Sequence, residues 1–304
     1  MAHLRIVGGG HNAELCPLDA PMDVTATISR LFVYPVKSCA GVALNHMTLT
    51  QTGLEFDRAW MVVDTQGQFV TQRELPRMAL IQPQLKTFEI VLRAPGMLAL
   101  HVQLDKVERA VQATVWQDTV AAFDMGDLAA QWFSDFLGQA LRLVRFNPAH
   151  RRLSSAQWTG NDQGLNQFSD GFAVLVLSEA SLIGLNHRLV AAGEAQVAME
   201  RFRPNIVLAG IEAHDEDRLD ELRIATAQGE ARLRMVKPCS RCPIPNIDPI
   251  TALSTPTVGD MLLTYRQTRV VGGAVAFGMN AIVLGGVDNE LRVGQSASAD
   301  YKFD

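Results

Sequence analysis

The residues best suited to chemistry in this 304-residue chain are two cysteines three positions apart, Cys239 and Cys242. They lie within residues 237–249 (KPCSRCPIPNIDP), where four prolines in 13 residues disfavour a helix and stiffen the backbone. Lys237 and Arg241 stand beside the thiols, and because nearby cations favour thiolate over thiol, we expect a lowered cysteine pKa. An anionic sulfur on a rigid loop is typical of a site for a soft or borderline metal.

Three other interpretations of the cysteine pair stay open from these residues alone. A structural zinc site usually has four Cys or His ligands, whereas here there is one pair and the nearest histidine is His214. A thioredoxin-like dithiol normally opens a helix, which Pro243 and Pro245 disfavour. The two thiols could also be small buried apolar side chains without a chemical role.

The composition excludes several classes of protein. The chain is 48% hydrophobic and 19% charged, as expected of a compact globular protein. Its net charge of −5 favours neither nucleic acid nor an anionic membrane as a partner, so any anion site must be local. Its apolar runs are shorter than the ~20 residues of a membrane span. Four cysteines are too few for a disulfide scaffold.

The amino-terminal residues carry no visible targeting signal. Residues 1–24 lack the cationic start and apolar run of a secretory signal, so we interpret them as a flexible leader. We therefore expect a cytoplasmic protein without a membrane or nucleic-acid partner.

Short β-rich runs separated by turn residues predict a mainly β protein with some helices, of the α+β class. In the first half the predicted strands are 28–34, 42–50, 59–64, 69–71, 78–82, 88–92, 98–104 and 111–115. In the second half they are 172–177, 205–208, 222–224, 231–237, 268–271, 280–284 and 291–293.

Two helices are predicted between these strands. Apolar spacing predicts a helix over residues 127–137, with one face formed by Leu128, Trp132, Phe133 and Phe136. Ser178 is a predicted cap for a second helix that runs through Leu189. Residues 146–167 contain few aliphatic side chains and are the best candidate for a linker or mobile loop, in which we expect Arg151 and Arg152 to be solvated.

Three motifs in order resemble the MOSC superfamily, whose name comes from the C-terminal domain of molybdenum cofactor sulfurase. They are residues 31–39 (LFVYPVKSC), 202–205 (FRPN) and 237–249, and together they are more specific than one CxxC pair. The branch that they resemble comprises the mitochondrial amidoxime-reducing component and its bacterial homologues. The resemblance implies a β-barrel N-terminal domain at 25–145, after the leader at 1–24, and a MOSC β-barrel domain at 146–304.

The resemblance also implies a molybdenum-cofactor site. Cys242 would be the catalytic residue and the protein's thiolate ligand to the metal, with Cys239 a neighbour. The cofactor-binding residues would be Lys37, Ser38, Arg58, Asp170, Gly171, Arg203, Asn205, Ser240 and Arg241. From the residues alone, Lys37 and Ser38 lie on a turn where an anion could bind, but a solvated lysine is the competing interpretation. Arg58 could equally pair with a neighbouring carboxylate.

The implied activity is the reduction of N-hydroxylated small molecules by oxygen-atom transfer. Because no cysteine follows Cys242, we expect the electrons to come from a separate donor protein. Two alternatives stay open, a carrier module for cofactor or sulfur without its own turnover, and a cofactor-free dithiol. Pyridoxal phosphate binding is a superfamily-level property to which we assign no residue.

Overall fold

The strand predictions can be compared with a computed structural model, which describes residues 24–106 and 109–302. Almost all of the predicted leader lies outside these residues, as does Cys16. The mainly β fold is confirmed. Among the described residues, no helix combines the length and apolar character needed to cross a membrane.

Twenty strands are defined in the described chain. The first ten are β1 (Val24–Val33), β2 (Val42–Leu44), β3 (His46–Thr50), β4 (Gly53–Leu54), β5 (Trp60–Val63), β6 (Gln82–Leu85), β7 (Glu89–Arg93), β8 (Leu100–Gln103), β9 (Arg109–Val115) and β10 (Asp118–Asp124). The others are β11 (Arg142–Phe146), β12 (Arg152–Leu153), β13 (Leu165–Asn166), β14 (Val174–Ser178), β15 (Ile206–Ala209), β16 (Leu219–Thr226), β17 (Gly229–Ser240), β18 (Ala276–Gly285), β19 (Glu290–Arg292) and β20 (Ser296–Tyr301).

Helices are short and lie between the strands. The α-helices of the described chain are α1 (Asp127–Leu137), α2 (Ala156–Thr159), α3 (Glu179–Ala191) and α4 (Thr257–Leu263). Single 3₁₀ turns occupy Pro76–Leu80, Met199–Phe202, Asp215–Asp217, Ile244–Asn246 and Arg269–Val271. The predicted cap of α3 is confirmed, since Ser178 Oγ accepts a hydrogen bond from Ser181 N at 3.0 Å.

Seven strands close into a barrel. Their order is β1, β15, β14, β18, β17, β16 and β20, and β20 pairs back to β1. Every pairing is antiparallel except that of β14 with β15. Alternate residues of β1, among them Val24, Ala26 and Ile28, are buried in the barrel core, as expected of a strand with one face inward. The first described strand thus completes a barrel whose other six strands all follow residue 173.

Except for β2, which pairs with β1, the strands between β1 and β14 form smaller sheets beside the barrel. One sheet has the order β5, β11, β10, β9, another is the meander β6, β7, β8, and β19 joins β3 and β4 in a third. Helix α1 contacts β11 and β8 and buries Trp132, Phe133 and Phe136. The position of the boundary between the two predicted domains stays a prediction.

Residues 69–71 form only an isolated bridge at Phe69 and not the predicted strand, and three other local predictions were wrong for identifiable reasons. Pro76 begins a 3₁₀ turn over residues 76–80. Of the predicted strand at 78–82, only Gln82 therefore lies in a strand, β6. Residues 269–271 form a 3₁₀ turn, because the Thr268 side chain caps it and Gly272 ends it in a left-handed conformation. Leu128 is 75% exposed, since the buried face of α1 is centred roughly a third of a turn away.

The predicted linker at 146–167 is partly ordered by a buried arginine. Arg152 is 6% exposed, and its guanidinium donates to Asp118 Oδ2 at 2.7 Å and to Asn166 Oδ1 at 2.6 Å. It also donates to the carbonyl oxygens of Gln167 and Ser169. The expectation of a solvated Arg152 was therefore wrong, because carboxylate, amide and carbonyl oxygens replace its water.

Candidate functional site

A cavity of about 200 Å³ lies where the barrel meets the smaller sheets. The turns after β1 and before β5, the segment before β14, the turn before β15 and the end of β17 all contribute side chains. The structure brings together all ten residues that the sequence analysis assigned to the site. These are Lys37, Ser38, Arg58, Asp170, Gly171, Arg203, Asn205, Ser240, Arg241 and Cys242.

Cys242 follows a strand that is longer than predicted. β17 continues through Ser240 and stays paired with β18, despite Pro238, because the register shifts at irregularities. Arg73 approaches the thiol from the other half of the chain, and its Nη2 donates to Cys242 Sγ at 3.5 Å. The guanidinium also lies 4.9 Å from the centre of the Trp116 ring.

Arg73 was missed by the sequence analysis. The only local signal is the spacing of Thr71 and Glu74, which is typical of a capping box, and Thr71 N does donate to Glu74 Oε2 at 2.8 Å. That pattern indicates a tight turn but says nothing about which cavity the intervening arginine enters. Its position depends on how the smaller sheets pack against the barrel.

Cys239 differs from the expectation of a lowered cysteine pKa. Burial in the cavity wall raises the pKa of the Cys239 thiol, and the nearby Arg241 only partly opposes this effect. The prediction was therefore wrong for Cys239. A neutral Cys239 thiol is consistent with the interpretation of Cys239 as a neighbour of Cys242.

Lys37 and Asp170 form an ion pair at the cavity. Lys37 is 5% exposed, and its Nζ donates to Asp170 Oδ1 at 2.5 Å and to Phe168 O at 2.7 Å. Burial lowers the pKa of Lys37, although the Asp170 charge opposes this. Desolvation would raise the pKa of Asp170, but Lys37, Arg73 and the Trp116 indole together hold it well below its usual range. The solvated-lysine interpretation is therefore wrong.

Arg58 and Arg203 both contact the ring of Tyr34 through their guanidinium groups. Their guanidinium carbons are 4.4 and 4.2 Å from the ring centre. Arg58 donates to Asp57 Oδ2 at 2.5 Å, so the expected carboxylate pair exists, and it also donates to Asn205 Oδ1 at 3.1 Å. Burial, followed by the charge of Arg58, lowers the pKa of Arg203 to about 10. The charges of the two guanidinium groups therefore oppose each other in this site.

Backbone strain accompanies these side chains. Ser38, Arg58 and Arg203 all have positive φ, at 69°, 50° and 58°. Non-glycine residues rarely adopt this conformation, and where they do it is often at functional sites.

The charges lining this cavity favour an anion. Among the described lining residues, one carboxylate, Asp170, faces seven basic side chains, which are Lys37, Arg58, Arg73, Arg201, Arg203, Lys237 and Arg241. Two buried nitrogens here, Arg203 Nη2 and Arg241 Nε, have no hydrogen-bond partner in the described part of the chain. Buried N–H groups without acceptors are costly, so a ligand with several acceptor oxygens or nitrogens would be stabilised here.

The donor set also limits the kind of metal that fits. Across residues 24–106 and 109–302, no group of three or more His, Cys, Asp and Glu side chains is arranged to hold a metal ion. A structural zinc site of four protein ligands is therefore not supported. One thiol beside many cations fits a metal whose other ligands come from an anionic organic cofactor.

The fold and the cavity define a β-barrel protein with a cationic pocket and a cysteine thiol at its wall. The chain belongs to the MOSC family, which confirms the resemblance. Residues 25–140 match the family model of the MOSC N-terminal beta barrel domain, and residues 163–298 match that of the MOSC domain.

Curated relatives span most of the chain. Mitochondrial amidoxime reducing component 2 of Rattus norvegicus is 34% identical over 238 residues, which cover 75% of this chain and 68% of the relative. Mitochondrial amidoxime-reducing component 1 of Homo sapiens is 36% identical over 251 residues, which cover 79% and 72%. Molybdenum cofactor sulfurase of Bos taurus is 30% identical over 264 residues, which cover 81% of this chain but 29% of that protein.

Proposed function

We propose that this protein is a molybdenum-cofactor-dependent oxidoreductase that reduces N-hydroxylated small molecules, with electrons from a separate donor protein. The observation that carries the proposal is the pocket itself, in which Cys242 faces a lining of seven basic side chains and one carboxylate. The similarity to two amidoxime-reducing components supports the substrate class. In the overall reaction the N–O bond breaks, two electrons and two protons enter, and water leaves.

The lining suggests a role for each part of the pocket. Cys242 would supply the thiolate ligand, and Arg73 would orient its sulfur through the N–H···S contact. Lys37, Ser38 and Arg58 would hold the cofactor phosphate. Its pterin would lie against Asp170, Gly171, Arg203, Asn205, Ser240 and Arg241. When bound, molybdenum supplies two-electron oxygen-atom transfer, chemistry that no side chain provides.

The chain itself prepares the pocket for a charged ligand. Asn205 is 1% exposed and joins three parts of the pocket wall, since its amide accepts from Arg58 and from Leu175 N and donates to Phe32 O. Asn205 thereby holds the Arg58 guanidinium in place before the ligand arrives, while Arg203 Nη1 is held by the Cys39 carbonyl oxygen at 2.6 Å. Such preorganisation reduces the ordering cost of binding.

The first test is the cofactor content of the purified protein. We expect molybdenum near one equivalent, together with the fluorescence of the oxidised pterin. Cys242→Ser should abolish reduction of an aromatic amidoxime by an artificial electron donor, and Cys239→Ser is the matched control that should retain the metal. Full activity of Cys242→Ser would refute the ligand assignment, and protein that takes up no molybdenum would refute the proposal.

A carrier module for cofactor or sulfur is the second candidate, favoured by the similarity to molybdenum cofactor sulfurase. It predicts a different result in the same experiment. Protein with a full molybdenum content that reduces no N-hydroxylated compound with any donor would favour the carrier function.

A further inference from the structure

A second cavity of about 330 Å³ adjoins the pocket that contains Cys242. The two share a wall formed by Arg201, Arg203 and Ile244. Ile244 stands two positions after Cys242 in the 3₁₀ turn Ile244–Asn246, so the second cavity begins beside the proposed reaction centre. A molecule bound in the second cavity would therefore extend toward the Cys242 thiol.

The lining of the second cavity is mainly apolar. Its apolar side chains are Ala40, Ala79, Ala198, Ile244, Ile247, Pro249 and Ile250. Ile250 is 83% exposed at its rim, although its side chain is large and hydrophobic. Removal of such surface from water is favourable, so an apolar group bound here would be stabilised.

Two polar groups in the same lining lack partners. Gln72 is 3% exposed, and its Nε2 has no hydrogen-bond acceptor among the described residues. Arg203 Nη2, which lies at the shared wall, is also buried and has no hydrogen-bond acceptor among the described residues. A ligand with an apolar body and an acceptor atom near that wall would satisfy both features.

We propose that the second cavity binds the apolar body of the substrate while its N-hydroxyl group lies in the adjacent pocket. The subsite would then favour N-hydroxylated compounds that carry an aryl or compact alkyl group over hydroxylamine itself. This inference rests on the proposed function for the chemistry, but the binding of the apolar body can be measured without it.

The kinetic test compares a substrate that has an apolar body with one that has none. Ala198 is exposed, so Ala198→Trp should fill the cavity without disturbing the core, and Ile250→Ser removes its apolar rim. We expect the ratio of kcat/KM for benzamidoxime to that for hydroxylamine to fall about tenfold in Ala198→Trp, mainly through KM, and several-fold in Ile250→Ser. Ala192→Trp, at an exposed position that lines neither cavity, is the matched control.

A binding test separates this inference from the proposed function. Benzamidoxime is titrated into cofactor-free protein, which lacks the group needed to reduce it, and its binding is followed by ligand-detected NMR. We expect binding to the wild type and to Ala192→Trp, and a Kd at least tenfold weaker for Ala198→Trp. Equal affinity in all three proteins, or an unchanged kinetic ratio, would overturn the subsite. A wild type that binds benzamidoxime but reduces neither substrate would refute the proposed function and leave the subsite standing.

Discussion

Cys242 meets a guanidinium that comes from the other half of the chain. Arg73 contacts the sulfur and also lies 3.5 Å from Asp170 Oδ2, while Asp170 in turn pairs with Lys37. The proposed metal ligand is therefore one end of a network of charges rather than an isolated thiol. Groups that hydrogen-bond a metal ligand fix its orientation and influence its donor strength.

Replacement of Arg73 tests this network. We expect Arg73→Gln to lower kcat by about 10- to 100-fold with a smaller change in KM, because the arginine acts on the ligand and not on the substrate's apolar body. Arg73→Lys should recover part of kcat, since it keeps the charge. The measurement is steady-state kinetics normalised to molybdenum content, with the Mo(V) EPR spectrum as an independent readout.

Arg77→Gln is the matched control, because Arg77 lies on the next turn of the same segment and contacts Phe136. The role assigned to Arg73 would be wrong if both variants changed kcat and the EPR spectrum equally.

At the scale of elements, one ion pair joins two strands and the start of a helix. Asp124, at the end of β10, is 2% exposed and accepts from Arg142 of β11, with Nη2 to Oδ1 at 2.8 Å, and from Gly126 N at 2.8 Å. Burial alone would raise the pKa of Asp124, but Arg142 and the Gly126 amide lower it below its ordinary value. The folded protein thus favours the ionised form of Asp124 over the protonated form more strongly than the unfolded chain does.

The lowered pKa of Asp124 predicts an acid-dependent loss of stability. A group whose folded pKa lies below its unfolded value stabilises the protein above the unfolded pKa, here about 4, and loses that contribution as the pH falls through the folded pKa. We expect Asp124→Asn to lower the free energy of unfolding at pH 7 by about 1–3 kcal/mol, and by less near pH 3. Urea unfolding at several pH values measures this.

Asp127→Asn is the control for this experiment, since Asp127 also contacts Arg142 but its side chain is 96% exposed. It should change the free energy of unfolding by at most a few tenths of a kcal/mol. A pH dependence that is identical in the wild type and in Asp124→Asn would contradict the assignment.

At the scale of the whole molecule, the barrel depends on the first described strand. β1 pairs with β15 on one side and with β20 on the other, so it closes a barrel formed otherwise from the second half of the chain. Without β1, the edges of β15 and β20 would expose unpaired N–H and C=O groups and the apolar core.

The separated halves should therefore not fold independently. We expect residues 146–304, expressed alone, to show no cooperative thermal unfolding by circular dichroism, because the barrel would be open. Co-expression with residues 24–145 is the control and should restore a single transition. A cooperative transition in the isolated 146–304 fragment would show that the predicted domain boundary is also a boundary of folding.

Structural features that depend on a local sequence pattern were predicted best. The helix over 127–137 and the cap at Ser178 follow from spacing within one turn or two, and both were found. The 3₁₀ turns at Pro76–Leu80 and Arg269–Val271 were not, because short apolar runs suit a strand and a tight turn equally well.

By itself, the sequence determined the mainly β character of the protein and its family through three ordered motifs, and the resemblance implied ten of the residues that line the pocket. Only the tertiary structure decided which strand closes the barrel, that Arg73 reaches Cys242, that Arg152 is buried, and that an apolar cavity adjoins the thiol. The reason is physical. Motif residues carry their chemistry in their own side chains, whereas pairing, burial and contact depend on distant segments whose packing no local spacing specifies.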